Sequence, residues 1–104
     1  MQTDFVMPDD CQDMSEVRAG VDRTDRELME LLSRRYGYMR AAARIKRTRD
    51  AVRDESRKAE VIENARADAA ARGLPDNELA DIWNDLVESS IAYELDEWDR
   101  LREA

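Results

Sequence analysis

The sequence lacks residue types on which many active sites depend. It contains no histidine, one cysteine, three glycines and two prolines in 104 residues. Without histidine, Ser-His-Asp and Cys-His catalytic systems are excluded, and so are most zinc and haem sites. Because Cys11 is alone, the chain can form no internal disulfide and no cysteine-based metal cluster. The composition therefore argues against a metal centre of these kinds.

Strand-forming residues and long apolar runs are scarce as well. Few β-branched residues, glycines and prolines leave little material for strands and hairpins, so an all-α fold is predicted. No stretch approaches a membrane span, and residues 1–10 lack the basic start and apolar core of a signal peptide. The net charge of −8 opposes nucleic-acid binding, because phosphates would be repelled. We expect a cytoplasmic protein without a membrane or nucleic-acid partner.

The apolar pattern predicts three helices in one domain. Residues 1–13 form a polar lead, and residues 14–104 form the helical domain. The first helix is expected to begin at residue 14 or 15, with Ser15 as its N-cap, and to end at residue 46 or 47. Residues 47–53 are charged and lose the helical period, which is typical of a loop.

The second and third helices are delimited by capping signals. The second is expected from residues 54–56 to Arg72, and Gly73 then takes the left-handed position while Leu74 packs back onto the helix. Asp76 is expected to cap the third helix, which extends to about Arg102. Its predicted inner stripe consists of Leu79, Trp83, Leu86, Ser90, Glu94, Trp98 and Leu101.

A heptad seam along the first helix contains a misplaced cation. The seam consists of Val17, Thr24, Leu31, Tyr38 and Ile45 at one set of positions and Val21, Leu28, Arg35 and Ala42 at the other. A guanidinium in such a seam costs several kcal/mol of desolvation unless it meets an anion. Lys46 follows Arg35 by eleven residues and therefore projects within about 20° of it. Two cations on an inner face suggest a buried anionic ligand, although a structural salt bridge explains them as well.

The length of the first helix predicts a second copy of the chain. About 32 residues span about 48 Å, whereas a compact domain of this size has a radius of gyration of about 13 Å. The overhanging apolar seam needs another chain to cover it. We therefore expect an intertwined homodimer in which the first helices pack against each other.

Other charged or polar residues fall on predicted inner faces or at a helix start. Ser90 and Glu94 lie one turn apart on the third helix, and Arg57 follows Asp54 in the first turn of the second. Backbone amides and the helix dipole favour anions at such a start. Each residue has a simpler explanation: Arg57 is an ordinary surface arginine, Ser90 is a small packing residue, and Glu94 reaches solvent.

Several runs resemble the all-helical chorismate mutase family. They are Val17-Arg18-Ala-Gly-Val21-Asp22-Arg-Thr-Asp25, Leu31-Leu32-Ser-Arg34-Arg35, Ala43-Arg-Ile45-Lys46, Val52-Arg-Asp54-Glu-Ser-Arg57 and Val87-Glu88-Ser89-Ser90-Ile91. The resemblance covers residues 16–101 in order. It implies an entwined helical dimer that rearranges chorismate, a small dicarboxylate, to prephenate in aromatic amino acid biosynthesis, without a metal or cofactor.

The resemblance also implies a role for each candidate residue. Arg35 and Arg57 would hold the substrate's carboxylates, and Arg18 would reach into the partner protomer's site. Lys46 would donate to the ether oxygen as its bond to carbon breaks. Asp54 would contact the ring hydroxyl, and Ser90 would lie near a carboxylate. A Claisen rearrangement needs a compact reactive conformer and a positive field, which such residues supply without a histidine.

Three departures from the family pattern bear on the activity. Glu94 stands where many members have glutamine, so it has to be protonated to donate a hydrogen bond to the ether oxygen. Lys58 replaces a glutamate beside Asp54, and the interval from Lys46 to Arg57 is one residue shorter than in some mutases.

That shorter interval and the segment Pro8-Asp-Asp-Cys11 resemble the sister enzyme, isochorismate-pyruvate lyase. Because residues 47–53 are strongly charged and Glu94 replaces the glutamine of both enzymes, we favour the mutase over the lyase. A non-catalytic helical dimer is the remaining alternative, but it would be expected to have a damaged set of cations.

Overall fold

The described part of the chain, residues 5–103 of a computed structural model, contains three α-helices and no strand. They are α1 (Met14–Ile45), α2 (Glu55–Ala71) and α3 (Asp76–Arg102), and single 3₁₀ turns cover Pro8–Asp10 and Arg49–Ala51. The all-α prediction is confirmed. The first four residues of the predicted polar lead and residue 104 lie outside the described residues.

Two predicted helix caps are wrong by one or two positions. The cap of α1 is Asp13 rather than Ser15: Asp13 Oδ1 accepts from the amide of Glu16 at 2.9 Å. Asp76 is the first residue of α3, not its cap, because the Pro75 carbonyl already accepts from the amide of Leu79. The cap is the residue whose carbonyl takes the first helical hydrogen bond, and composition alone does not fix that residue.

The boundaries of α2 follow the sequence signals closely. Asp54 caps its start and accepts from the amide of Arg57 at 3.0 Å. At its end Gly73 has a φ of 72°, and the Leu74 amide donates to the Ala69 carbonyl at 2.9 Å, which is a Schellman motif. The expected packing of Leu74 is not found, because this side chain is 48% exposed.

The chain divides into two compact units, one ending at Arg35 and one beginning at Tyr36. In the first unit, the Arg23 guanidinium stacks 4.2 Å from the centroid of the Phe5 ring. In the second unit, α2 packs against α3. Its core is the cluster Val52, Val87 and Ile91, against which Val61, Ile62, Leu95 and Trp98 pack.

The buried face of α3 differs in part from the predicted stripe. Its buried residues are Ala80, Val87, Ser90, Ile91 and Glu94, whereas Leu101 is 41% exposed. Ser90 and Glu94 were correctly placed on the inner face, and Leu101 was not. The fully buried residues of α3 end at Glu94, and Leu101 lies two turns beyond it.

Most of the predicted seam on α1 is exposed in the single chain. Its large apolar side chains with 51 to 69% exposure are Val21, Leu28, Leu31, Tyr38 and Ile45, and Met29 beside the seam is 65% exposed. A contiguous series of this kind is uncommon on a surface that remains in water.

An ion-pair cluster joins the start of α2 to α3. Glu88 accepts two hydrogen bonds from Arg53, at 2.7 and 3.0 Å, and one from Lys58 at 2.5 Å. The hydrogen bonds from Arg53, and then those from Lys58, lower the pKa of the Glu88 carboxyl from 4.5 to about 2. Lys58, which replaces the glutamate of many family members beside Asp54, therefore pairs with Glu88 on α3.

The lowered pKa of Glu88 predicts an acid-sensitive contribution to stability. A depressed carboxyl pKa stabilises the folded state above the unfolded pKa and loses that effect as the pH falls through the folded value. Glu88→Gln should therefore lower the melting temperature at pH 7, and its difference from the wild type should vanish between pH 4.5 and about 2. The control is Glu30→Gln, which removes an exposed carboxylate on α1. A difference for Glu88→Gln that stays constant down to pH 2 would contradict the prediction.

Candidate active site

The end of α1 and the middle of α3 bring Lys46 and Glu94 together. Lys46 Nζ lies 2.8 Å from Glu94 Oε2 and donates to the Val52 carbonyl at 3.4 Å. Glu94 is 4% exposed, and the Lys46 side chain is 31% exposed. A cation and a carboxyl that the sequence separates by forty-eight positions therefore form one buried pair.

This geometry rules out the alternative in which Glu94 reaches solvent. Glu94 Oε2 is buried, and none of its neighbours in the described residues has the angle of a hydrogen-bond donor, so its contact with Lys46 is an ion pair rather than an aligned hydrogen bond. Removing one member of a buried ion pair typically costs about 3–5 kcal/mol, because the other charge is left uncompensated. The pair is also a structural salt bridge, as one alternative reading of the sequence proposed.

Ser90 lies one turn before Glu94 on the same helix and is 3% exposed. Its Oγ donates to the Leu86 carbonyl within the helix at 2.7 Å. A serine hydroxyl rotates freely enough to exchange this bond for another acceptor. Ser90 could therefore donate to a carboxylate only by giving up its bond to Leu86.

Asp54 and Arg57 are adjacent at the start of α2, but Arg57 does not join the buried pair. The Asp54 carboxylate accepts from the Arg57 amide, and the Arg57 guanidinium pairs with Glu60 at 2.5 Å. The Arg57 side chain is 64% exposed. An exposed i,i+3 pair is weak, at about 0.3–0.5 kcal/mol, so a ligand carboxylate could displace Glu60 easily.

The two remaining candidates lie on α1 in the first unit. Arg18 is exposed and Arg35 is half-buried.

Two residues that donate hydrogen bonds to the main-chain carbonyl of Lys46 were not predicted as part of the site. Trp98 was expected only as a core aromatic, and its indole Nε1 donates to the Lys46 carbonyl at 3.1 Å. Arg102, which was expected only as a helix end, donates from Nη2 to the same carbonyl at 2.8 Å. A signal was present in the spacing, since Glu94, Trp98 and Arg102 follow one another at intervals of four.

The site offers charge and hydrogen-bond donors. In the described residues no group of three or more histidine, cysteine, aspartate or glutamate side chains could hold a metal ion. An ammonium group beside a buried carboxyl can stabilise negative charge that develops on a bound oxygen.

No described helix combines the length and the apolar character needed to cross a bilayer.

Comparison with known proteins agrees with this chemistry. Residues 17–95 match the family described as chorismate mutase type II. The chain is also similar to the isochorismate pyruvate lyase of Pseudomonas aeruginosa, with 27% identity over 97 residues that cover 93% of this chain and 96% of the lyase. The matched range includes Lys46 and Glu94, all of α2 and most of α1 and α3. The chain therefore belongs to the type II chorismate mutase family.

Proposed function

We propose that the protein catalyses the Claisen rearrangement of chorismate to prephenate. The observation that carries the proposal is the buried pair in which Lys46 Nζ lies 2.8 Å from Glu94 Oε2. A pericyclic reaction needs no nucleophile and no proton abstraction, so a chain without histidine can catalyse it. It needs donors where negative charge develops as the ether bond breaks, and Lys46 supplies one.

The contacts of Lys46 leave it able to serve a substrate. An ammonium group has three N–H donors. Glu94 and the Val52 carbonyl can each be served by one, at 2.8 and 3.4 Å, while the third reaches an ether oxygen. Both protein partners would then restrict the ammonium to one place, which matters because a lysine side chain is flexible.

The other residues bind the substrate in this proposal. Arg35 and Arg57 hold its two carboxylates, because a guanidinium grips a carboxylate with two parallel hydrogen bonds. Ser90 assists at a carboxylate and Asp54 contacts the ring hydroxyl. Arg57 exchanges its surface partner Glu60 for the substrate, which costs little.

The site is completed by a second protomer that contributes Arg18. The exposed apolar side chains of α1, such as Leu28 at 51% and Tyr38 at 67%, support a homodimer because burial of this series would be favourable. Arg18 is exposed on α1 in the single chain and is thus accessible to a partner.

A second candidate activity is the cleavage of isochorismate to salicylate and pyruvate. It is favoured by the similarity to the Pseudomonas aeruginosa lyase, which extends over 93% of this chain. Both reactions break an ether bond in one concerted step, so Lys46 would serve either. The charged segment 47–53 supports the mutase, because it departs from the lyase pattern.

Product analysis separates the two activities. Purified protein is incubated with chorismate and, separately, with isochorismate between pH 5 and 8, and the products are identified by chromatography. We expect prephenate from chorismate, and Lys46→Gln should lower kcat by about 10²–10³. Salicylate and pyruvate as the main products would make the protein the lyase. If neither substrate reacts and a bicyclic dicarboxylate transition-state mimic fails to raise the melting temperature, the protein is a non-catalytic dimer.

The protonation of Glu94 should appear in the pH profile. Only the neutral acid can donate to the ether oxygen, whereas a carboxylate there repels the developing negative charge. If Glu94 acts as the neutral acid, kcat for chorismate rises toward acid pH in the wild type and is flat in Glu94→Gln, whose amide donates at every pH. A wild-type kcat that falls toward acid pH would instead assign Glu94 the role of an anion that only holds Lys46.

Mixed dimers test the role of Arg18 across the interface. If each site uses its own Lys46 and the partner protomer's Arg18, Arg18→Ala and Lys46→Gln chains are both nearly inactive alone. Unfolding and refolding them together should restore about a quarter of wild-type activity, since half of the dimers are mixed and each has one intact site. The control replaces the Lys46→Gln chain with the Arg18→Ala/Lys46→Gln double variant, which can form no intact site. Equal activity in both mixtures would show that Arg18 acts within its own chain or not at all.

A further inference from the structure

The C-terminal end of α1 is held by side chains of α3. The last helical hydrogen bond runs from the Lys46 amide to the Ala42 carbonyl at 2.9 Å, so the carbonyls beyond Ala42 have no helical donor. Arg102 donates to the Ala43 carbonyl at 3.0 Å and to the Lys46 carbonyl at 2.8 Å. Trp98 Nε1 donates to the Lys46 carbonyl as well, at 3.1 Å.

The two donors also hold each other. The Arg102 guanidinium stacks on the Trp98 ring, 4.2 Å from its centroid, and Arg102 Nη1 also donates to the Trp98 carbonyl at 3.3 Å. Trp98 in turn packs against the core cluster of Val52, Val87 and Ile91. A guanidinium holds its N–H donors in a rigid planar arrangement. Its positive charge interacts favourably with the negative C-terminal end of the α1 dipole. We call Trp98 and Arg102 together the Trp98–Arg102 clasp. Its contacts attach it to the core of the second unit.

Side chains on one face of α3 contact both the side chain and the main chain of Lys46. Glu94 contacts the ammonium at 2.8 Å, while Trp98 and Arg102 bind the carbonyl of the same residue. Because these three residues are spaced by four, one helix sets both the side chain and the main chain of Lys46. A reactive group has to be held closely by the residues that support it, and a displacement of about 1 Å can cost about 10²-fold in rate.

We infer that Trp98 and Arg102 are positioning residues for Lys46, which they act on through its main-chain carbonyl. The inference rests on the proposed function of Lys46 and adds two residues that touch neither the substrate nor the reacting atoms. It predicts that loss of either donor affects the chemical step more than substrate binding. Loss of stability should be small, because Arg102 lies at the exposed end of α3.

The test compares Arg102→Gln and Trp98→Phe with Arg100→Gln in the full-length protein. Arg100 lies on the same helix, its side chain is 64% exposed and it pairs with Glu97, so it is the matched control. On the substrate that the wild type converts, Arg102→Gln and Trp98→Phe should lower kcat about tenfold and change KM less than about twofold. Arg100→Gln should leave both unchanged. Unaltered kcat in both clasp variants would overturn the inference.

A double-mutant cycle distinguishes positioning from a general structural role. If the clasp acts through Lys46, Arg102→Gln should cause no further loss in the Lys46→Gln background. The same tenfold loss in both backgrounds would show that the clasp acts on the fold. Trp98→Phe, which keeps the ring in the core, provides the same cycle if Arg102→Gln does not fold.

A spectroscopic readout separates this inference from the proposed function. The ¹⁵N signal of Lys46 Nζ is identified by its absence in Lys46→Gln. It should shift or broaden in Arg102→Gln and not in Arg100→Gln. If the wild type converts neither substrate, the proposed function fails, but a shifted signal still supports the clasp. An unchanged signal in both clasp variants overturns it.

Discussion

The second unit depends on one buried charge pair. Glu94 is 4% exposed in a face of α3 that otherwise buries small apolar residues, and Lys46 Nζ at 2.8 Å is the cation that compensates it. A buried carboxylate without such a partner would destabilise the fold by several kcal/mol. The end of α1 is therefore tied to α3 by an electrostatic requirement as well as by packing. In this arrangement the proposed reacting group is also a structural one.

Several ion pairs, whose side chains differ in solvent exposure, hold α3 in place. At one end, Arg53 and Lys58 converge on Glu88, and at the other, Arg49 pairs with Asp99 at 2.9 and 3.1 Å. Such exposed pairs are individually weak and are screened by salt. The Lys46–Glu94 pair between them is shielded from water and screened far less. Salt should thus loosen the two outer contacts before it affects the central one.

Much of the fold could be predicted because its signals are local. The helical period, the start of α2 near Asp54 and the left-handed Gly73 each depend on a few neighbouring residues, and all were confirmed. The caps at Asp13 and Pro75 were missed, since several acceptor residues competed for each position. Leu74 and Leu101 were wrongly placed inside, because burial depends on which other elements arrive, not on the helix alone.

Which residues belong to the candidate site could be proposed from the sequence more readily than the contacts between them. The inward positions of Ser90 and Glu94 followed from the period of α3, but the pairing of Glu94 with Lys46 needed the tertiary fold. The roles of Trp98 and Arg102 were missed because they bind main-chain carbonyls, and a sequence does not show which carbonyls lack a helical donor. Arg57, by contrast, has the surface partner that the simpler reading of the sequence expected.

The exposed apolar series on α1 has a consequence for how the protein behaves when diluted. Within residues 5–103 the buried hydrophobic residues are alanine, valine and isoleucine, so the single chain has a small core. Much of the apolar surface that could be buried lies instead along α1, from Val21 to Ile45. If a second copy covers it, folding and association become one equilibrium, and the melting temperature rises with protein concentration. Cellular abundance would then set not only how much enzyme is present but what fraction of it is folded.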